Sequence, residues 1–161
     1  MRSGAFQYAI TSDTGACKAP YRNMHIMINP DIENHIRKDA YASWLGATIE
    51  AIEPGYSRVS LVVTESMLNF HGMTHGGLLF SLGDIAFAGA SNSHGQIAVA
   101  LNVATSFLRA TGVGDHLVAE AKEVHLGGAT ALYDIVVTEK TSGQLVAKSQ
   151  ATVYRKRDSF I

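Results

Sequence analysis

A single charge inside a long apolar segment is the feature that most constrains this chain. Between residues 78 and 92 the only ionisable group is Asp84. The segment is long enough for a helix, apolar on most of its circumference and rich in Gly and Ala, and such a helix is expected to be packed on nearly all sides. A carboxyl group buried there has its pKa raised unless donors compensate, which makes Asp84 a stronger base than a surface Asp.

His75-Gly76-Gly77 stands directly before that helix. The first turn of a helix carries backbone N–H groups without intrahelical partners, and two glycines leave them open to approach. With the positive end of the helix dipole, they form a place where a carbonyl is polarised or an oxyanion held. A carboxylate and oxyanion donors are two parts of an acyl-transfer site. Asn69 and His71 lie just upstream. The Asn69 amide is a candidate to bond a substrate carbonyl or the loop backbone, His75 to cap the helix or orient substrate, and His71 to sit at the rim. Each feature alone also has a plain reading: a tight turn for His75-Gly76-Gly77, a satisfied buried polar group for Asp84. A metal reading would use His71, His75 and Asp84 as ligands. The intervening Gly72-Met73-Thr74 is a poor helix former and does not hold both imidazoles on one face.

Distance adds a condition. Gly76 and Asp84 are eight residues apart, roughly 12 Å along a helix, and one reacting carbon cannot touch both. Groups serving one reaction must then come from different chains, with the helix antiparallel to its two-fold mate. The sequence therefore predicts a symmetric dimer with two sites across its interface. Gly83, Ala86, Ala88, Gly89 and Ala90 are expected to let the two helices approach closely.

Composition fits a small enzyme. With 161 residues, 47% of them hydrophobic, the chain has material for one core and one domain. Residues 1–28 are weakly periodic and read as a flexible leader or an overlong start, with Met24 and Met27 as candidate beginnings; residues 29–161 read as a single folded domain. A net charge of −1 offers no global attraction to nucleic acid or to an anionic membrane. No apolar run reaches membrane-spanning length, and the start lacks the apolar block of a secretory signal. The single Cys17 suits a reducing cytoplasm.

Asn29-Pro30-Asp31 signals a helix start, and Ile32 and Ile36 give a short amphipathic stripe to about Ala42, a lid or edge helix. The core is expected to begin at Trp44, with a strand over 45–52, a turn at Pro54-Gly55 and a return strand over 58–64. After the long helix, strands at 97–108, 116–126, 129–138 and 144–154 read as a four-stranded meander. An antiparallel sheet wrapped round one helix is an α+β fold.

The pattern Asn69-x-x-Gly72-x-x-His75-Gly76-Gly77, followed eight residues after Gly76 by Asp84, resembles the hotdog-fold acyl-CoA thioesterases of the phenylacetate-pathway (PaaI) type. The run from Phe80-Ser81-Leu82-Gly83-Asp84 to Ala88 and the later Phe107-Leu108-Arg109 are similar to that branch, and the likeness covers about residues 40–155. It implies a hotdog fold and hydrolysis of an acyl-CoA thioester to free acid and coenzyme A, with no metal and no cofactor. Asp84 becomes general base or nucleophile, and the Gly76 N–H of the partner subunit becomes the oxyanion donor, with Asn69 and His75 beside it. The likeness points to an aryl-acyl-CoA such as phenylacetyl-CoA, with Phe70, Phe80 and Phe87 as aromatic surface. A medium-chain acyl-CoA thioesterase and a non-catalytic acyl-CoA-binding protein are the alternatives. Arg109 and the tail Arg155-Lys156-Arg157 are the positive groups placed to meet coenzyme A phosphates; a terminal charge run reads first as a solvated tail, so Arg109 is the candidate. Some relatives carry Ser or Thr on the first strand after the helix; here Val99-Ala100-Leu101-Asn102 leaves that role unfilled or gives it to Asn102. A cytoplasmic homodimer that pairs further into a homotetramer is implied as well. A hotdog dehydratase would carry His five residues after the Asp, where this chain has Gly89, and a purely structural dimer module would have no use for Asp84.

Overall fold

The computed structural model describes residues 28–161, so the leader expected over 1–28 lies, Ile28 apart, outside the described residues. Ile28 itself is buried with Ile32 and Ile52. α1 (Pro30–Ile36) starts where the Asn29 side chain accepts from the Asp31 N–H, with proline in its first turn. α2 (Ala40–Leu45) is capped by Asp39, whose carboxylate accepts from the Tyr41 and Ala42 N–H groups, and it stops at Gly46 in the left-handed region, φ 75°. The one helix expected to about Ala42 is therefore two, because the Asp39 carboxylate satisfies the donors of a new first turn. Trp44, the expected first core residue, rides on α2 with 77% of its surface exposed.

β1 (Thr48–Glu53) and β2 (Tyr56–Val62) form the hairpin at Pro54-Gly55. A loop with a short 3-10 turn at Glu65–Met67 leads into α3 (Gly76–Asn92). Then come β3 (Gln96–Phe107), β4 (His116–Leu126), β5 (Thr130–Glu139) and β6 (Leu145–Ser159). All six strands join one antiparallel sheet in the order β1-β2-β4-β5-β6-β3. The expected meander is real only for β4 to β6. α3 carries the chain across the sheet, so β3 pairs with β6 at the far edge while β4 returns beside β2.

The sheet's inner face closes on α3, giving the α+β class read from the sequence. Leu78, Leu79, Leu82, Ile85, Ala86, Phe87 and Ala90 of α3 pack against Val59, Leu61, Leu117, Tyr133, Ile135 and Val137. Truncating a fully buried member such as Leu82 costs about 2–5 kcal/mol. Two of the small residues expected at a helix–helix contact face the sheet instead. A Cβ on Gly83 would lie 3.4 Å from Ile135, and one on Gly89 only 2.6 Å from Ser57 Oγ. Ala86 and Ala90 are core too, so of the five only Ala88 looks outward.

α3 is consequently not packed on all sides. Gly77, Phe80, Ser81, Asp84 and Ala88 form one stripe at helical spacing that the chain's own sheet leaves uncovered or half-covered. Asp84, expected in the interior, is exposed in the middle of that stripe.

Candidate active site

The loop before α3 is held from both ends. Leu68 and Thr74 bridge as an antiparallel pair, the Asn69 N–H donates to Met73 O at 2.7 Å, and the His75 N–H donates to Met67 O at 2.9 Å. Thr74 is buried, its N–H on Thr111 O and its hydroxyl accepting from Thr111 Oγ1 at 2.8 Å. Asn69 Oδ1 accepts from the N–H groups of His71 (2.9 Å) and Met73 (3.2 Å). Its oxygen thus holds the loop, and its Nδ2 donors stay free for a second partner.

His75 is the N-cap of α3. Its Nδ1 accepts from the Gly77 N–H at 2.8 Å, and its carbonyl takes the N–H groups of Leu78 and Leu79. One donor of the first turn is left over: among the described residues nothing accepts from the Gly76 N–H. That is the donor the sequence singles out, and it opens into a cleft of about 340 Å³ lined by Asn69, Met73, Gly76, Phe107, Leu108 and Arg109 among others. Phe107 lies over Gly76, 3.6 Å from where a Cβ would stand. Asn69, Gly76 and Arg109 therefore share one cleft. His75 faces a neighbouring cleft with Tyr41, Trp44, Ser66 and Ser81, and His71 stacks obliquely on Phe70 at 4.0 Å out on the loop.

Asp84 lines neither cleft, as the spacing along the helix requires. Among the described residues it has no hydrogen-bond or ion-pair partner. Its carboxyl nonetheless lies above the ordinary Asp range, first because partial burial strips water from it and then because Asp39 adds a like charge. Two neighbours escape the sequence reading. Tyr41 OH meets Ser81 Oγ at 2.9 Å, latching α2 to α3 one turn before Asp84, and Asp39 at the start of α2 supplies the like charge. Ser81 could have been found by drawing the stripe through Asp84 at i−3; nothing in the local sequence signals Tyr41 or Asp39.

Other expected contributors fall elsewhere. Phe87 is core, edge-on to Tyr133, and Phe70 is 93% exposed at the loop tip; of the three aromatic residues only Phe80 lies on the Asp84 stripe. Of the tail cations Lys156 and Arg157 are exposed, whereas Arg155 is half-buried. β6 runs through them, and Arg155 donates to Gly127 O at 2.9 Å and to Gln96 Oε1, tying β6 to the β4–β5 turn and to β3. Asn102 sits on exposed β3 just past a bulge in the β3–β6 register at Ala100/Asn102.

A sheet of this order wrapped on one central helix is the hotdog architecture, and here the helix start carries an open N–H donor and its midpoint a lone carboxylate. The sequence pattern of the thioesterase superfamily matches residues 71–146. A putative esterase of Archaeoglobus fulgidus is 42% identical over 124 residues, 77% of this chain and 80% of its own length. The acyl-coenzyme A thioesterase PaaI of Escherichia coli is 45% identical over 102 residues, 63% of this chain and 73% of its own. The solved structure of the E. coli PaaI protein superposes with a TM-score of 0.76 at 38% identity, covering 79% of this chain and 91% of that one. A hypothetical thioesterase of Streptococcus pneumoniae solved with coenzyme A gives 0.70 at 29% identity, over 76% and 95% of the two chains. The chain belongs to the hotdog-fold thioesterases of the PaaI type and is a thioester hydrolase.

Proposed function

We propose that this enzyme hydrolyses an aryl-acyl-CoA such as phenylacetyl-CoA to the free acid and coenzyme A, at two sites built across a homodimer. The observation that carries the reading is the unpartnered Gly76 N–H at the positive end of α3, with Asp84 displaced along the same helix. The Gly76 N–H of one subunit holds the thioester oxygen as negative charge develops on it, and the Asn69 amide and His75 frame that position. Loss of one such donor costs typically about 3 kcal/mol. Asp84 of the other subunit, made more basic by its setting, takes a proton from the attacking water or attacks the carbonyl itself to give a mixed anhydride. Arg109, on the Gly76 side, meets the coenzyme A phosphates. The chemistry needs no metal and no cofactor, and we assign it to the cytoplasm.

Strand chemistry supports the dimer. β1, one edge of the sheet, is short and carries Glu50 and Glu53; β3, the other, is twelve residues long without a charge or a proline. Natural edges left that bare invite pairing, and a second copy of β3 running antiparallel is the simplest partner. In the dimer we propose, the Asp84 stripe of each chain meets the Gly76 cleft of the other. Stacking of two dimers into a tetramer completes the reading.

The test is hydrolysis of phenylacetyl-, benzoyl-, hexanoyl- and palmitoyl-CoA, followed by thioester absorbance, with wild type and Asp84→Asn. The expected result is a preference for phenylacetyl-CoA that collapses in the variant while the dimer persists. Equal rates in both proteins remove Asp84 from the chemistry, and coenzyme A binding without turnover makes the chain a binding protein.

A further inference from the structure

Resting on that reading, we infer that the cleft between α1, the second half of α3 and the start of β3 is the acyl-group subsite, with Ala88 and Phe160 setting which acyl groups fit. The cleft has a volume of about 520 Å³, and His35, Ile36, Asp39, Ala88, Ile97 and Phe160 line most of it. Small-molecule sites span about 300–1,000 Å³. Ala88 stands one turn beyond Asp84 on the same stripe of α3. Asp39 both lines the cleft and is near enough to Asp84 to bias its proton, so the cleft opens beside the carboxylate.

Charge decides which arm of the thioester enters. The Gly76 cleft carries Arg109 and suits the phosphate-bearing arm. Here Lys38 and Asp39 offset one another, and Ile36, Ala88, Ile97 and Phe160 make most of the lining apolar. In the proposed dimer, with β3 antiparallel to its copy, the start of one β3, near Ile97, lies toward the Phe107 end of the other, so the acyl and coenzyme A arms can be held in neighbouring clefts.

The far wall favours a flat acyl group. Phe160 stacks on His35 with ring centroids 4.6 Å apart and planes 23° apart, and Phe160 also packs on the Ile28, Ile32 and Ile52 cluster. That wall presents a fixed aromatic surface on which a ring packs edge to face. Opposite it, Ala88 is the smallest side chain that still closes the helix surface.

The experiment compares kcat/KM for phenylacetyl-, acetyl-, hexanoyl- and palmitoyl-CoA in wild type, Ala88→Leu and Phe160→Ala. Filling the cleft at Ala88 should lower the phenylacetyl-to-acetyl ratio about tenfold or more, the discrimination a few methylenes give in an apolar pocket. Opening it at Phe160 should move the optimum toward longer chains. Phe160 is only partly buried, against the small Ile28, Ile32 and Ile52 cluster rather than the main core, so this variant decides the matter if Ala88→Leu does not fold. Ratios unchanged in the folded variants overturn the subsite while leaving the hydrolase reading intact. No turnover of any acyl-CoA by wild type overturns both.

Discussion

The Gly76 N–H can be removed without disturbing the helix it begins, because proline is well suited to the first position of a helix. His75 before it is extended, with φ −65° and ψ 134°, the backbone a residue preceding proline prefers. Gly76→Pro should therefore fold and dimerise while kcat falls about 10²–10³-fold, and circular dichroism beside steady-state rates checks both halves. A rate within a fewfold of wild type would show that this donor does not hold the oxyanion. Asp84 supplies a second test with a defined sign. Its folded pKa is raised above the ordinary 3.8, so the folded chain binds that proton more tightly than the unfolded one. Stability is then lost as pH rises from 3.8 to the raised value. Asp84→Asn should melt higher than wild type at neutral pH, and the gap should close below 3.8. A gap that is the same at both pH values would mean that the carboxyl is not destabilised where it sits.

At the scale of elements, contact between α3 and β2 is limited by Gly89, whose missing Cβ would stand 2.6 Å from Ser57 Oγ and 2.9 Å from Ser57 Cβ. Ser57 is fully buried, and among the described residues its hydroxyl has no hydrogen-bond partner. Gly89→Ala should cost about 1–3 kcal/mol through overpacking, read as a lower urea midpoint, although alanine is the better helix former. Ser57→Ala should be neutral or stabilising, since it removes an unsatisfied buried hydroxyl. The helix itself was legible in the sequence because an apolar run with one charge has few other homes, and the turn glycines mark most strand boundaries. Strand order was not legible. β3 reads like β4 in composition, and only the crossing of α3 over the sheet decides that β3 pairs with β6. The site was half legible. Asn69, Gly76 and Asp84 announce themselves by spacing along one segment, whereas Asp39 comes near Asp84, and Tyr41 reaches Ser81, from a distant part of the chain through packing alone.

For the whole molecule, a site shared between subunits makes a prediction no single-chain site allows. Asp84→Asn keeps a sound Gly76, and Gly76→Pro keeps a sound Asp84. Mixed by unfolding and refolding in equal amounts, the two inactive proteins form some hybrid dimers with one intact site, and activity should return to about a quarter of the wild-type rate. No recovery, with hybrids demonstrated by native mass, would place both groups in one chain. The sheet order also bears on how such a molecule is made. β3 is synthesised ahead of β4, β5 and β6, yet its only neighbour in the sheet is β6. Until β6 emerges from the ribosome, twelve uncharged residues wait with both edges open, the kind of segment that aggregates. A stalled or truncated chain is therefore most dangerous to itself at the strand that, in the proposed dimer, joins it to its partner.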